Sequence, residues 1–396
     1  MSHIVLIPLD FSDIRQVIYT NCACNAMRNR MHLMDESIIK RCEMDLRLKD
    51  SGSYLFILLM LLVSIVSFAC APALPEKKKI DLVWPLPPDE PRIKYVDYFT
   101  NSLDLEVKKG VSELLFGEEK VDSLDKPYGV AVDKQGRVYI TDLGRVWVID
   151  FKNKTYRFIG DEPGVGRLNF PVGITTTSDN RVFVTDINLD RVFVFNPDGR
   201  FMSAIGEKGE LDGPSGVAVD EKNRLIYVVD SKKHQVNVYS LDTFKKVRVM
   251  GKRGSENGEF NFPTNIALDK EGRLYVVDTG NFRVQIFDSE GRFIKSMGKA
   301  GDTPGSFARP KGIAIDSEGH IYVVDAAFQN FQIFDFEGNI LLFVGSGGIE
   351  PGQFLLPAGI AIDDEDRIYV INQIPASLQI FEYMGEKWKK RQARAQ

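Results

Sequence analysis

The sequence predicts an all-β fold of six similar four-stranded sheets set around a common axis, and three observations predict it. A unit of 47 residues, Pro263 to Arg309, recurs imperfectly so that six copies lie between Pro127 and Met384. The copies open on a Pro-x-Gly-apolar-Ala pattern at Pro127, Pro171, Pro214, Pro263, Pro310 and Pro357, at intervals of 44, 43, 49, 47 and 47 residues, which suits one four-stranded sheet each. Inside the unit, NIALD, RLYVVD, RVQIFD and RFIKSMG are short runs rich in Val, Ile, Tyr and Phe bounded by turn residues, the signature of strands. Asp269 to Gly272 and Asp288 to Gly291 read as tight hairpin loops whose glycine takes a positive φ, and Asp133 to Gly136, Asn196 to Gly199, Asp316 to Gly319 and Asp335 to Gly338 repeat them.

Two tight hairpins and one looser connection make an antiparallel meander. Four residues after each starting proline stand Ala131, Thr175, Ala218, Ala267, Ala314 and Ala361. Small side chains suit innermost strands that converge on an axis, and six sheets around that axis bury faces that one alone would expose. These residues resemble NHL repeats, and PKGIAIDSEGHIYVVDAAFQNFQIFD, Pro310 to Asp335, is similar to the family motif over its whole length. The resemblance spans Lys126 to Tyr383 and implies a six-bladed β-propeller. It leaves function open, because the family includes binding platforms and enzymes. The enzymatic relatives, amidating lyases and lactonases, hold metal at the axis through histidine or through Glu, Asn and Asp.

Before the repeats, residues 1–53 carry no repeat and three of the four cysteines, Cys22, Cys24 and Cys42. A signal-like segment follows, so a translation start at Met34 or Met44 is an alternative to Met1. The 18-residue apolar run from Tyr54 follows Arg41, Arg47 and Lys49 and leads through Ser67-Phe68-Ala69 to Cys70. Residues 54–70 thus resemble a bacterial lipoprotein signal with Cys70 as the lipidated residue; an uncleaved anchor and an ordinary secretory signal are the alternatives, and all three place the repeats outside the cytoplasm. Ala71 after the cysteine points, by the same resemblance, to the outer membrane.

Residues 71–91 hold six of the 18 prolines and read as an extended linker, about 60 Å long at roughly 3.1 Å per residue. Arg92 to Thr100 has a strand pattern with no repeat attached, while the sixth copy ends at MGEKWKKRQARAQ without a fourth strand. Because an open sheet would leave an exposed edge, Arg92 to Thr100 is predicted to supply the outermost strand of the last blade. Leu105, Val107, Val111, Leu114 and Leu115 predict a short amphipathic helix before the first repeat, and residues 385–396 read as a frayed basic tail.

Each second strand ends on an acid, Asp142, Asp186, Asp230, Asp278 and Asp325, with Asn372 in the last copy. Recurrence in nearly every blade predicts a structural bond to local backbone donors or to Arg145, Arg191 and Arg283, since catalysis needs a few distinct groups. Of the four histidines, His3 and His32 precede the apolar run, whereas His234 and His320 fall on opposite faces, so histidine–metal chemistry is not expected. A net charge of −5 and a pI near 5.6 argue against nucleic acid as a partner.

The expected activity is non-catalytic binding, without cofactor, of a protein, peptide or envelope glycan. The face is the one carrying the second-to-third-strand loops and the blade-to-blade connections, which vary most between copies. Candidate contacts are Lys232, Lys233 and His234 in blade three, Asn281 and Phe282 in blade four, and Phe328, Gln329 and Asn330 in blade five. Tyr128, Thr264 and Lys311, each following a starting proline, are placed nearer the axis. The alternative is a metal-assisted lactonase or lyase using axial carboxylates.

Overall fold

The computed structural model describes residues 80–105 and 121–395. The chain divides into two units, Met1–Lys78 and Lys79–Gln396, and everything described belongs to the second. The predicted signal, the Cys70 lipidation site and residues 106–120 of the predicted amphipathic helix lie outside the described residues; only a 3-10 turn, Ser102–Leu105, precedes that gap.

Six antiparallel sheets form a six-bladed propeller. Blade five shows the plan: Pro310–Ile315 is innermost, followed outward by Ile321–Asp325, Asn330–Phe334 and Ile340–Val344. The sixth blade takes Pro357–Ile362, Arg367–Gln373 and Ala376–Tyr383 from the end of the chain and Ile93–Phe99 from before the repeats. Tyr95 pairs with Phe381 and Phe99 with Leu378 across the closing ladder, and Ile93, Tyr95 and Phe99 are buried. The strand that closes the ring is therefore the predicted one. It satisfies the backbone edge of Ala376–Tyr383 and supplies aromatic contacts, with the rings of Tyr95 and Phe381 5.4 Å apart.

Apolar clusters sit between neighbouring blades. One joins Val130, Ile140 and Trp147 of blade one to Ile371 and Leu378 of blade six, so it spans the closure. The glycine of each Pro-x-Gly start permits this packing. A Cβ on Gly173 would stand 2.1 Å from the carbonyl oxygen of Ser215, one on Gly312 2.4 Å from that of Ala358, and one on Gly359 2.4 Å from that of Tyr128. The innermost strands touch backbone to backbone, and only blade four, with Asn265, departs from the rule. Hydroxyls reinforce the seams: Thr141 Oγ1 donates to Val172 O at 2.9 Å, Thr185 Oγ1 to Ser215 O at 2.9 Å and Thr279 Oγ1 to Pro310 O at 2.8 Å.

Two expectations need correction. The linker does not run free to residue 91, because Val83–Trp84 pairs with Ile93 and Lys94 as a fifth strand on blade six, and Trp84 packs edge-on against Phe381. The C-terminal tail is not frayed; Glu386–Ala395 is a helix, tied to the blade by Arg391, whose guanidinium meets Glu365 at 2.7 Å and Glu382 at 2.6 Å. The run of like charge along KWKKRQAR hid a helix whose Arg391 has carboxylates of the blade to meet.

Candidate functional site

In every blade the second-to-third-strand loop and the connection to the next blade emerge on one side, and the residues of that face are fixed by bonds from below. The acid that ends each second strand reaches across to the connection entering its own blade. Asp325 accepts from the backbone N–H groups of Ala308, Arg309, Ala327 and Phe328, and Asp186 from those of Asn169, Phe170, Asn188 and Leu189. Asp142 holds Asp125, Lys126 and Leu143 and also the Trp147 indole at 3.0 Å. The recurring acid is thus a clasp between two loops, as predicted. Arginine joins in part: Arg283 Nε meets Asp278 at 2.9 Å and Arg145 approaches Asp142 to 3.8 Å. Burial pushes the Asp230 carboxyl up, against the pull of N–H donors from Asp212 and Lys233. Asn372 does the same work uncharged, its oxygen accepting from Leu355 and Leu356.

A second clamp escaped the sequence reading. Gln285, Gln332 and Gln379 stand at matched positions of the third strands of blades four to six, and each is nearly or wholly buried. Each amide oxygen accepts from a connection glycine, Gly258, Gly305 or Gly352, and each amide nitrogen donates to the carbonyl of Glu259, Ser306 or Gln353. Phe260, Phe307 and Phe354 bury their rings completely in the same connections. The signal lay in the sequence as two residue types recurring at 47-residue intervals. The connections are accordingly a pinned platform rather than loose loops.

The eleven candidate residues separate on this platform. His234 is buried, accepts from the Phe262 N–H at 3.0 Å through Nδ1, and packs at a tilt against the Phe262 ring; burial, then Arg253, hold its imidazole below the ordinary value. Lys233 donates to the carbonyls of Gly209 and Glu210, and Lys232 pairs with Asp212 at 2.8 Å. Asn281 bridges Gly254 O and Asp278, while Phe282, at φ 57°, packs on the core between blades four and five. Gln329, also left-handed at φ 58°, reaches Leu355 O at 3.4 Å; Phe328 is half-buried, and Asn330 begins the third strand with its side-chain oxygen buried and unbonded.

Tyr128, Thr264 and Lys311 come together differently. With Val172, Ser215 and Ala358 they occupy the residue after each starting proline, hence one ring at the mouth of the axis. Thr264 shares its hydroxyl with Thr279 at 2.7 Å, and Ser215 with Ser231 at 2.7 Å. Lys311 of blade five lays its ammonium 5.3 Å from the centre of the Tyr128 ring of blade one, reaching past blade six. Burial and then the neighbouring Arg309 bring the lysine down to about 8. Burial pushes the Tyr128 hydroxyl up.

Exposed large apolar side chains mark the same face. Leu143, Leu189 and Ile374 stand in second-to-third-strand loops, and Val165, Phe262 and Ile349 in blade connections, with Phe262 51% and Ile374 54% exposed. Leu355, also in a connection, adds to them; none among the described residues falls in a first-to-second or third-to-fourth-strand turn, and the remainder line the outermost strands and the segment before blade one. Those turns of the opposite face are polar, and the cavity between blades four and five there, about 450 Å³, is lined mainly by charged residues such as Asp269, Arg273, Asp316 and His320. Among the described residues no three His, Cys, Asp or Glu side chains converge in a geometry able to hold a metal.

Fold and platform define a repeat propeller with one prepared face. A family model described as a 6-bladed beta-propeller matches residues 171–250 and 253–342. NHL repeat-containing protein 2 of Homo sapiens is 28% identical over 102 residues, 24% of this chain and 14% of its own length. NHL repeat-containing protein 3 of Mus musculus is 32% identical over 93 residues, 22% of this chain and 26% of its own. The chain thus matches a minor part of these relatives' lengths. A streptogramin B lyase structure superposes with a TM-score of 0.50 at 12% identity, covering 65% of this chain and 94% of the lyase, a likeness of fold alone. The chain thus folds as a six-bladed β-propeller whose repeats are similar to NHL repeats.

Proposed function

We propose that the protein is a non-catalytic binding scaffold that takes a protein or peptide on its loop-rich face and is held at a membrane of the cell envelope through its N-terminal segment. One observation carries the binding part: exposed apolar side chains of the two propeller faces all lie on one of them, on loops whose backbones are clamped by Asp, Gln and Phe. Apolar side chains on a rigid, pre-ordered surface give a partner area to bury without an ordering cost. Their aliphatic character favours a protein or peptide over a glycan. The envelope part rests on the sequence of residues 54–70 with Cys70 at its end.

Site-specific photo-crosslinking in the native host tests the face. Probes replacing Phe262 and Ile374 are expected to trap a common partner, while probes at Gln135 and Ser289, in turns of the opposite face, trap none. Equal labelling from both faces, or none from either, refutes the assignment. Metabolic labelling with a fatty-acid analogue, lost in Cys70→Ala, checks the lipid anchor; unchanged labelling removes it.

A further inference from the structure

We infer that the axial mouth of the loop-rich face is an anion site, in which the Lys311 ammonium, backed by the Tyr128 ring and assisted by Arg309, receives a carboxylate of the bound peptide. The inference rests on the binding-platform reading and names the chemistry at its centre.

Lys311 is 8% exposed, and of the charged side chains buried to that degree it alone, among the described residues, has neither a hydrogen bond nor an ion pair. The buried aspartates all accept hydrogen bonds; Asp133, Asp316 and Asp366, for example, are bonded by Arg137, His320 and Ser317. A buried cation is ordinarily neutralised by a carboxylate, because desolvation is otherwise uncompensated. Here its charged neighbour is another cation, Arg309, whose own side chain is exposed beside it. The other positions of the mouth, Val172, Ser215, Thr264 and Ala358, are uncharged.

Position fits the task. The residue after the starting proline is held by the backbone on both sides, since the Asp325 clasp fixes Ala308 and Arg309 and Gly312 abuts Ala358. Tyr128 occupies one side of the ammonium through a cation–π contact, which leaves its N–H donors to point elsewhere. An arriving carboxylate would gain charge-assisted hydrogen bonds at a buried ammonium, where they are stronger than in open solvent, and the aliphatic side chains exposed on the same face suit a peptide.

The full chain with 13C-methylated lysines tests this by NMR, with Lys311→Met assigning the resonance and a melting curve confirming that this variant folds. Sodium acetate, compared with sodium chloride at matched ionic strength, is expected to raise the Lys311 titration midpoint from near 8 by about half to one pH unit, because an opposite charge favours the ammonium. Neutral acetamide leaves it unchanged, and Arg309→Gln weakens the acetate response. No difference between acetate and chloride overturns the proposal. So does a response to phosphate but not acetate, or a midpoint that moves when Glu106, Glu113, Glu118 and Glu119 are changed together to Gln, since the chain would then supply its own anion. The titration needs no partner, so its failure is distinguishable from failure of the crosslinking.

Discussion

Replacing Asp325 with alanine isolates what holds the face in place. Its carboxylate accepts from Ala308 N at 2.8 Å, Arg309 N at 3.0 Å, Ala327 N at 2.9 Å and Phe328 N at 3.1 Å, and the residue is wholly buried. A buried N–H donor left without a partner costs about 1–3 kcal/mol, so four set a range of about 4–12 kcal/mol were the loops unable to admit water. Partial hydration brings the expected loss to about 4 kcal/mol. Asparagine is the sharper probe, because blade six already carries Asn372, whose Nδ2 donates to Ile374 O at 2.7 Å. In blade five that nitrogen would face the donors of Ala327 and Phe328 instead, so Asp325→Asn keeps two bonds of four and costs about 2 kcal/mol. Urea unfolding with the slope held constant reads both numbers. Because the clasp also sets Arg309 and the start of the Lys311 strand, the alanine variant is expected to lose the acetate response before it unfolds. An alanine variant within about 1 kcal/mol of the parent would refute the clasp as an organising bond.

Two further outcomes follow from the seams and the turns. Gly312→Ala drives a Cβ to 2.4 Å from Ala358 O, a backbone atom that moves only if blades five and six part, and is expected to cost about 1–3 kcal/mol, whereas Asn265→Ala at the matching position of blade four costs about 1 kcal/mol or less; equal losses in urea unfolding would discount the close approach. His320 bonds Asp316 at 2.8 Å and lies near Glu318, Asp335 and Tyr383; the Asp316 bond raises its imidazole above the ordinary value of about 6.5 despite burial. A raised folded-state value gives stability that is fully present below the unfolded value and lost as pH climbs through the folded one. Arg137 and Arg273 fill the same position in blades one and four, so His320→Arg should flatten the stability profile across that window, and a profile unchanged by the substitution would show that another group titrates.

The architecture was legible because a propeller repeats its instructions. Starting prolines, hairpin glycines and the acid ending each second strand appear five or six times, so an ambiguous run in one copy is settled by its counterparts, and a blade one strand short directs attention to Ile93–Phe99. What repetition concealed was the reason for its own residues. The small residue four after each starting proline drew notice as the axial one, yet the glycine two residues before it, present in five of the six blades, decides how near two backbones come. Gln285, Gln332 and Gln379 recur at a fixed interval in three blades but sit within apolar strands, where a polar residue is a signal only once its partner across 26 or 27 residues of chain is known. Val83–Trp84 escaped because proline-rich composition masks a two-residue strand that depends on tertiary pairing.

The site divides along the same line. Lys233, His234, Asn281 and Phe282 stood out as variable loop residues, yet each is taken up by a carbonyl, a backbone N–H or the core, because a loop that differs between copies must still satisfy its own polar groups. Variation alone therefore does not separate contact residues from local fasteners. A different criterion does: at positions equivalent by repeat, the informative residue is the one whose chemistry is left unmatched. Around the axial mouth, Ser215 and Thr264 have hydroxyl partners, Val172 and Ala358 are buried apolar groups, and Lys311 has, among the described residues, only an aromatic face and a like charge. Four blades satisfy their own residue at this ring, blade one lends the Tyr128 ring to Lys311, and the lysine presents a charge that no described residue of the propeller answers.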